Sequence, residues 1–322
     1  MKKSRVKILI ILLISVFLLT GCTKQLLDSD KKPVKNPETG QTLTKNILCK
    51  PTDKNTIKIY EENKIKIEKL PDCEDFKPTD GKYEGIWTSL FVKPLAFILI
   101  LLGTHLGNFA ISVIIVSLII RFIAYPITKK TAMQSEVMKE LQPELQKIQK
   151  KYKGKEDQES MMKQNQEMMA LYKKYNVNPM GGCLFAMIQL PIFVAFFEAI
   201  QRTPAIFEDK FLGLQLGTTP SVGISTSTFY AYALLIIIIG FSTFFSMRMS
   251  TAGNNQDPTM KMMPTMMTGM IVITGIFMPT GLGIYWVTAN IFTLVQNYLV
   301  RRSKDKDGKT RISSKNKRRS GK

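Results

Sequence analysis

The chain has one histidine, His105, and four cysteines in 322 residues. That is little material for a metal centre or for a histidine-based acid–base centre. No His-Glu-x-x-His, Gly-x-Gly-Asp or Walker-type glycine loop occurs, so an enzyme is not expected. Neither a metal nor a cofactor is implied. Charge is absent from five long apolar runs. Of 45 basic and 25 acidic residues, only Arg121 intrudes, near the end of the first run. This segregation excludes a soluble globular protein and a disordered one. No carboxylate or histidine stands mid-run, and Glu198 comes at the end of its run. A proton-coupled pump normally keeps a titratable group at its centre, so that class is disfavoured too.

What is present begins with a targeting signal. Lys2, Lys3, Arg5 and Lys7 precede an apolar stretch from Ile8 to Leu19, then Thr20-Gly21-Cys22. This is a secretory pattern. Leu19-Thr20-Gly21-Cys22 also resembles the bacterial lipobox, which implies removal of residues 1–21 and a lipid on Cys22. An uncleaved membrane anchor is the other reading. Residues 22–86 are then extracellular. Their 13 basic and 12 acidic side chains and alternating stretches suit a small strand-bearing region or a loose tether. Cys49 and Cys73 lie on the oxidising side, where they either form a disulfide or remain free thiols.

The spans are drawn at about 109–125, 182–197, 229–247, 262–278 and 282–300. The last two come from 39 uncharged residues broken by Pro279 and by Gly281 and Gly283, hence two helices with a short turn. A stretch at about 91–106 is drawn as an amphipathic helix on the outer leaflet. Residues 128–178 carry 11 basic and 7 acidic groups, and the tail from Arg301 carries 11 and 2. The positive-inside rule puts both in the cytoplasm. Residues 129–176 have apolar side chains at helical spacing and are drawn as a hairpin of two helices, the second capped by Asp157. Its methionine-rich seam either packs within the hairpin or offers a deformable surface to partner helices.

Polar groups inside the apolar runs are the candidate site. Ser117 stands four residues before Arg121, on the same helical face. Gln189 precedes Pro191. Trp286, Asn290, Thr293 and Asn297 recur along one face of the last span, and Ser242 and Ser246 are four apart in the third. A charge at mid-bilayer costs about 2.5 to 3.5 kcal/mol on insertion scales. Arg121 therefore either snorkels to the interface or faces a wet cavity shared by the spans.

The stretch from Trp87 to Arg301 resembles the YidC/Oxa1/Alb3 membrane protein insertases, in the five-span lipoprotein form of Gram-positive bacteria. The resemblance rests on Gly107-Asn108-Phe109 through Arg121 to Pro126, on Met180-Gly181-Gly182-Cys183 through Gln189-Leu190-Pro191-Ile192-Phe193, and on Gly281-Leu282-Gly283-Ile284-Tyr285-Trp286 through Asn290 to Gln296. It implies an all-α polytopic membrane protein with five transmembrane helices around a hydrophilic groove open to the cytoplasm. Substrate-groove residues would be Arg121, Ser117, Gln189, Ser246, Tyr285, Trp286, Asn290 and Thr293. At Ser246 relatives often carry an amide. The implied function is transfer of hydrophobic segments of nascent or small membrane proteins into the bilayer, with or without the Sec translocon. The basic tail, 302–322, would meet anionic lipid or dock a ribosome. No small-molecule substrate is implied. The competing classes are a small-solute transporter or permease subunit, and an assembly scaffold.

Overall fold

The structure, a computed structural model, describes residues 23–319 apart from 156, 178–180, 224–226 and 252–257; the side chains of 181–188, 251, 258–261, 263 and 304–319 also lie outside the description. The signal segment and Cys22 fall outside it. The chain divides into two compact units: Met1–Ser117, Leu190–Ile239 and Ile273–Trp286 make the first, and Leu118–Gln189, Gly240–Val272 and Val287–Lys322 the second.

The described helices are α1 (Lys54–Glu62), α2 (Lys93–Leu106), α3 (Phe109–Tyr152), α4 (Gln158–Lys174), α5 (Gly181–Arg202), α6 (Pro204–Phe207), α7 (Pro220–Gly223), α8 (Phe229–Thr251), α9 (Pro258–Ile276) and α10 (Thr280–Arg319). Strands β1 (Lys210–Phe211) and β2 (Leu214–Gln215) form a minimal antiparallel hairpin, Lys210 opposite Gln215. Among the described residues three helical stretches are long and apolar enough to cross a membrane: Thr88–Leu106, Phe109–Tyr152 and Phe229–Ser250.

In the first unit, residues 23–86 are folded rather than a loose tether. Isolated antiparallel bridges join Gln25 to Thr44, Leu27 to Pro33 and Lys35 to Thr42. Leu26, Leu43, Ile47, Tyr60 and Ile67 form a buried cluster. Asp53 caps α1 by accepting from the Thr56 N–H at 2.8 Å. The Tyr60 hydroxyl, buried with its ring, donates to the Thr44 carbonyl at 3.0 Å. Cys49 and Cys73 form a disulfide, Cα atoms 4.8 Å apart. A π-helical turn, Thr88–Val92, leads into α2. Helix α2 has apolar side chains on both its buried and its exposed sides. Leu95, Ala96, Leu99 and Ile100 are buried, whereas Ile98, Leu101 and Leu106 are exposed. Gly107 ends it with φ +65°, the left-handed conformation that a glycine adopts without strain.

In the second unit the expected hairpin is present with a different root. The span drawn to about 125 and the hairpin drawn from 129 are one helix: α3 runs unbroken for 44 residues through both Pro126 and Pro143. Proline removes one main-chain donor, and its neighbours can carry the helix across that gap. Gly154, φ +81°, makes the turn. Asp157 caps α4, accepting from the Ser160 N–H at 2.7 Å. That bond holds the Asp157 carboxyl below its ordinary value. Leu141, Leu145, Leu171 and Val177 close the seam, with Met138, Met168 and Tyr172 against them. Met133, Met161, Met162 and Met169 stay exposed.

Candidate functional site

Helix α3 carries Ser117 in the first unit and Arg121 in the second. Ser117 is buried and donates to the Val113 carbonyl one turn back, at 2.5 Å. Its hydroxyl is satisfied by its own helix, as a polar group in apolar surroundings must be. Arg121 is 9% exposed. An arginine snorkelling to an interface would present most of its guanidinium to solvent. The two residues that follow it, Phe122 and Ile123, are 65% and 73% exposed. The turn is therefore sided: apolar side chains face outward and the cation faces inward, within the second unit.

The second unit also contains polar side chains on α3, α5, α8 and α10. The Asn290 amide on α10 donates to Thr243 Oγ1 at 2.9 Å and Ser242 Oγ at 3.3 Å, both on α8. Asn297, two turns further on, donates to Ser250 Oγ at 3.2 Å. Thr128 on α3 donates to Gln296 Oε1 on α10 at 2.8 Å. Ser135 donates to the Ser250 carbonyl at 2.6 Å. Ser246 and Thr293 are buried, with Thr293 bonded back to Ala289. Gln189, on α5, is half-buried. Each bond satisfies groups that hydrocarbon would not, so this ladder ties α8 and α10 as well as furnishing polarity.

The aromatic pair lies in the first unit. Tyr285 is buried and stacks on Phe196 at 4.3 Å between ring centroids. Trp286 is half-buried and meets Phe193 edge-on at 5.4 Å. The sequence grouped all these residues into one site. The structure brings Asn290 together with Ser242 and Thr243, and Trp286 with Phe193, while Ser117, Tyr285 and Trp286 fall in a different unit from Arg121, Gln189, Ser246, Asn290 and Thr293.

Two features escaped the sequence. The first is the Thr128–Gln296 pair: Thr128 lies between the span drawn to about 125 and the hairpin drawn from 129, so no local pattern points to it. The second is a buried ion pair in the first unit. Arg202, 1% exposed, donates to Glu84 at 2.7 Å and to the Asn46 carbonyl at 2.8 Å. The i, i+4 placement of Glu198 and Arg202 was the available hint. No group of three or more His, Cys, Asp or Glu that could hold a metal occurs among the described residues.

Residues 101–307 match the family model described as 60Kd inner membrane protein. The chain belongs to the YidC/Oxa1 family. Its apolar helices and this family make it a membrane protein. The chain is 36% identical over 225 residues to membrane protein insertase YidC 1 of Halalkalibacterium halodurans, which covers 70% of this chain and 82% of that one. It is 37% identical over 241 residues to membrane protein insertase YidC 2 of Bacillus anthracis, 74% and 90% of the two chains. Against membrane protein insertase MisCA of Bacillus subtilis it is 36% identical over 235 residues, 72% and 86%. A solved structure of an active YidC insertase with its first transmembrane domain resolved aligns with a TM-score of 0.49 at 25% identity. That alignment covers 76% of this chain and about half, 52%, of the other. Residues 23–86 lie outside the matched family model, whereas Arg121, the α8–α10 ladder and Trp286 lie inside it.

Proposed function

We propose that this YidC/Oxa1-family protein is a membrane protein insertase that moves hydrophobic segments of nascent or small membrane proteins from the cytoplasm into the bilayer. The observation that carries the reading is Arg121: a buried cation, 9% exposed, on a helix whose neighbouring side chains are outward-facing and apolar. An uncompensated charge in hydrocarbon is expensive, so its inward aim implies a hydrated or polar setting. The insertase names of the relatives support the same conclusion.

The topology proposed with it has five spans. Three of them belong to α3, α5 and α8, and the α9–α10 pair supplies two more around the turn at Pro279. The α3–α4 hairpin and the basic tail face the cytoplasm. Residues 22–86 lie outside, lipid-anchored at Cys22. The stretch Thr88–Leu106 lies at the outer leaflet. The groove rests on Arg121, Gln189, Ser246, Asn290 and Thr293 in the second unit, and the family resemblance adds Ser117, Tyr285 and Trp286 as client contacts. A client's short polar, often acidic, terminus meets Arg121, and its apolar segment then partitions into lipid. Hydrophobic burial drives the step, and for acidic termini the membrane potential contributes about 2.3 kcal/mol per charge per 100 mV. Nascent membrane proteins are the proposed partners. The Sec translocon, anionic lipid and a ribosome at the tail are further proposed contacts.

The test is reconstitution. Purified full-length protein in liposomes, given a small single-span client and no ATP, should insert it into a protease-protected state. Equal insertion into protein-free liposomes would refute the proposal.

A further inference from the structure

The first unit holds an arrangement that neither the sequence pattern nor the family explains. The segment from Thr203 to Gly223 links α5 to α8. Its polar groups bind the ends of several helices. Asp209 Oδ2 accepts from the Phe109 N–H at the start of α3, at 2.7 Å. The Leu216 carbonyl accepts from Gly281 N–H at 2.8 Å, and the Thr218 carbonyl takes both the N–H and the hydroxyl of Thr280, where α10 begins. Tyr232 on α8 offers its hydroxyl oxygen to the Gln215 N–H at 3.2 Å. One segment therefore supplies partners to the first-turn groups of three helices and is covalently continuous with α5.

A second layer lies on that segment, made by residues 39–53 together with Glu84. The Thr39 carbonyl accepts from Thr219 N–H at 2.9 Å. Gly40, φ +66°, passes so close that a Cβ there would stand 2.5 Å from Val222 Cγ2 and 2.6 Å from Thr219 Oγ1. Leu48 N–H donates to the Arg202 carbonyl at 2.8 Å, while the Arg202 side chain reaches back to Asn46 and Glu84. Glu208 accepts from the Thr52 hydroxyl at 2.6 Å and from the N–H groups of Thr52 and Asp53. Cys49 sits in the middle of this strip, tied to Cys73.

We infer that residues 39–53 and Glu84 act as a clamp that holds the 203–223 segment closed over the ends of α3, α5, α8 and α10, keeping that end of the protein tight to small ions. Arg202, Glu208 and Gly40 are its positioning residues. The buried Arg202–Glu84 pair makes release costly, since separating it strands a charge among buried groups. An insertase must admit polar client residues without leaking protons, which gives such a clamp its use. The choice of which end faces outward rests on the topology proposed above; the clamp itself does not.

The test uses the full chain in liposomes, with no client present. Gly40→Val wedges the clamp away from Val222 without touching a membrane helix. Glu208→Ala unseats it by a different contact should the first variant misfold. Hydrogen exchange is read at the Leu48 and Thr52 amides for the clamp and at Thr280 and Gly281 for the layer below. Proton influx is read with an interior pH dye under a valinomycin-driven potassium potential. Both variants should speed exchange at all four amides by about tenfold. Proton influx should rise with it, and a Thr39→Cys, Thr219→Cys cross-link in the Glu208→Ala background should reverse both effects. Fast exchange at Leu48 and Thr52 with Thr280, Gly281 and proton influx unchanged would overturn the inference. Slow exchange at Leu48 and Thr52 in both variants would overturn it as well, since those contacts would then not hold the clamp. Failure of the wild-type protein to insert a client would refute the insertase reading and leave this result standing.

Discussion

Replacing Cys49 and Cys73 together with alanine tests how the 23–86 region is held. The disulfide closes a loop with a sequence separation of 24. Loop closure of that length removes chain entropy from the unfolded state worth about 3.5 kcal/mol at 25 °C. The apolar cluster beneath, built on Leu26, Leu43, Ile47, Tyr60 and Ile67, is small. A cluster of that size leaves the region dependent on its cross-link. Lys54, Lys58, Lys64 and Lys66 lie inside the loop and give trypsin its sites. A brief trypsin pulse across a urea series, resolved on reducing gels, reads the unfolded fraction. For a slope of about 1 kcal/mol per molar urea, the midpoint should fall by about 3.5 M. A shift under about 1 M would refute the loop-entropy reasoning, and would mean that seating on Arg202 and Glu208 supplies the stability instead.

Three further outcomes follow from particular contacts. Leu141→Ala empties the buried seam of the α3–α4 hairpin and should cost about 2 to 5 kcal/mol of local stability, seen as proteolysis between Lys150 and Lys163 while α8 and α10 stay protected. Asn290→Leu and Thr243→Val, with their double variant, should show a coupling of about 0.6 kcal/mol in a detergent unfolding cycle, typical of a hydrogen bond between membrane helices; zero coupling would mean the two side chains act independently. Burial raises the Glu208 pKa above the ordinary 4.5, against the hydrogen bonds from Thr52 and Asp53. The seated state then holds more protons than the released one between those two values, so seating weakens as pH rises through that window and is constant above it. Exchange at the Thr52 amide should therefore quicken with pH beyond its intrinsic rate, and Glu208→Gln should flatten that excess.

Local signals were legible in the sequence. Asp157 marks the start of the second hairpin helix and caps it as its chemistry requires. Pro279 separates α9 from α10. The spacing of Asn290, Thr293 and Asn297 places them on one face, and the Asn290 and Asn297 amides indeed find hydroxyls on α8. What was hidden depends on distance along the chain. Proline deletes a main-chain donor, so Pro126 gives no local sign that its helix continues to Tyr152. The fold of residues 23–86 comes from pairings such as Leu26 with Leu43 and from seating on Arg202, 118 residues beyond Glu84. No window of local sequence contains both partners. The same holds for Thr128 and Gln296, 168 residues apart.

The central claim is most directly tested at Arg121. Wild type, Arg121→Lys and Arg121→Ala are reconstituted at equal density and given two single-span clients that differ only in whether the translocated terminus is acidic or neutral. Arg121→Ala should lose most of its insertion of the acidic client and less of the neutral one, with Arg121→Lys between alanine and wild type. Equal insertion of both clients by all three proteins would contradict the claim.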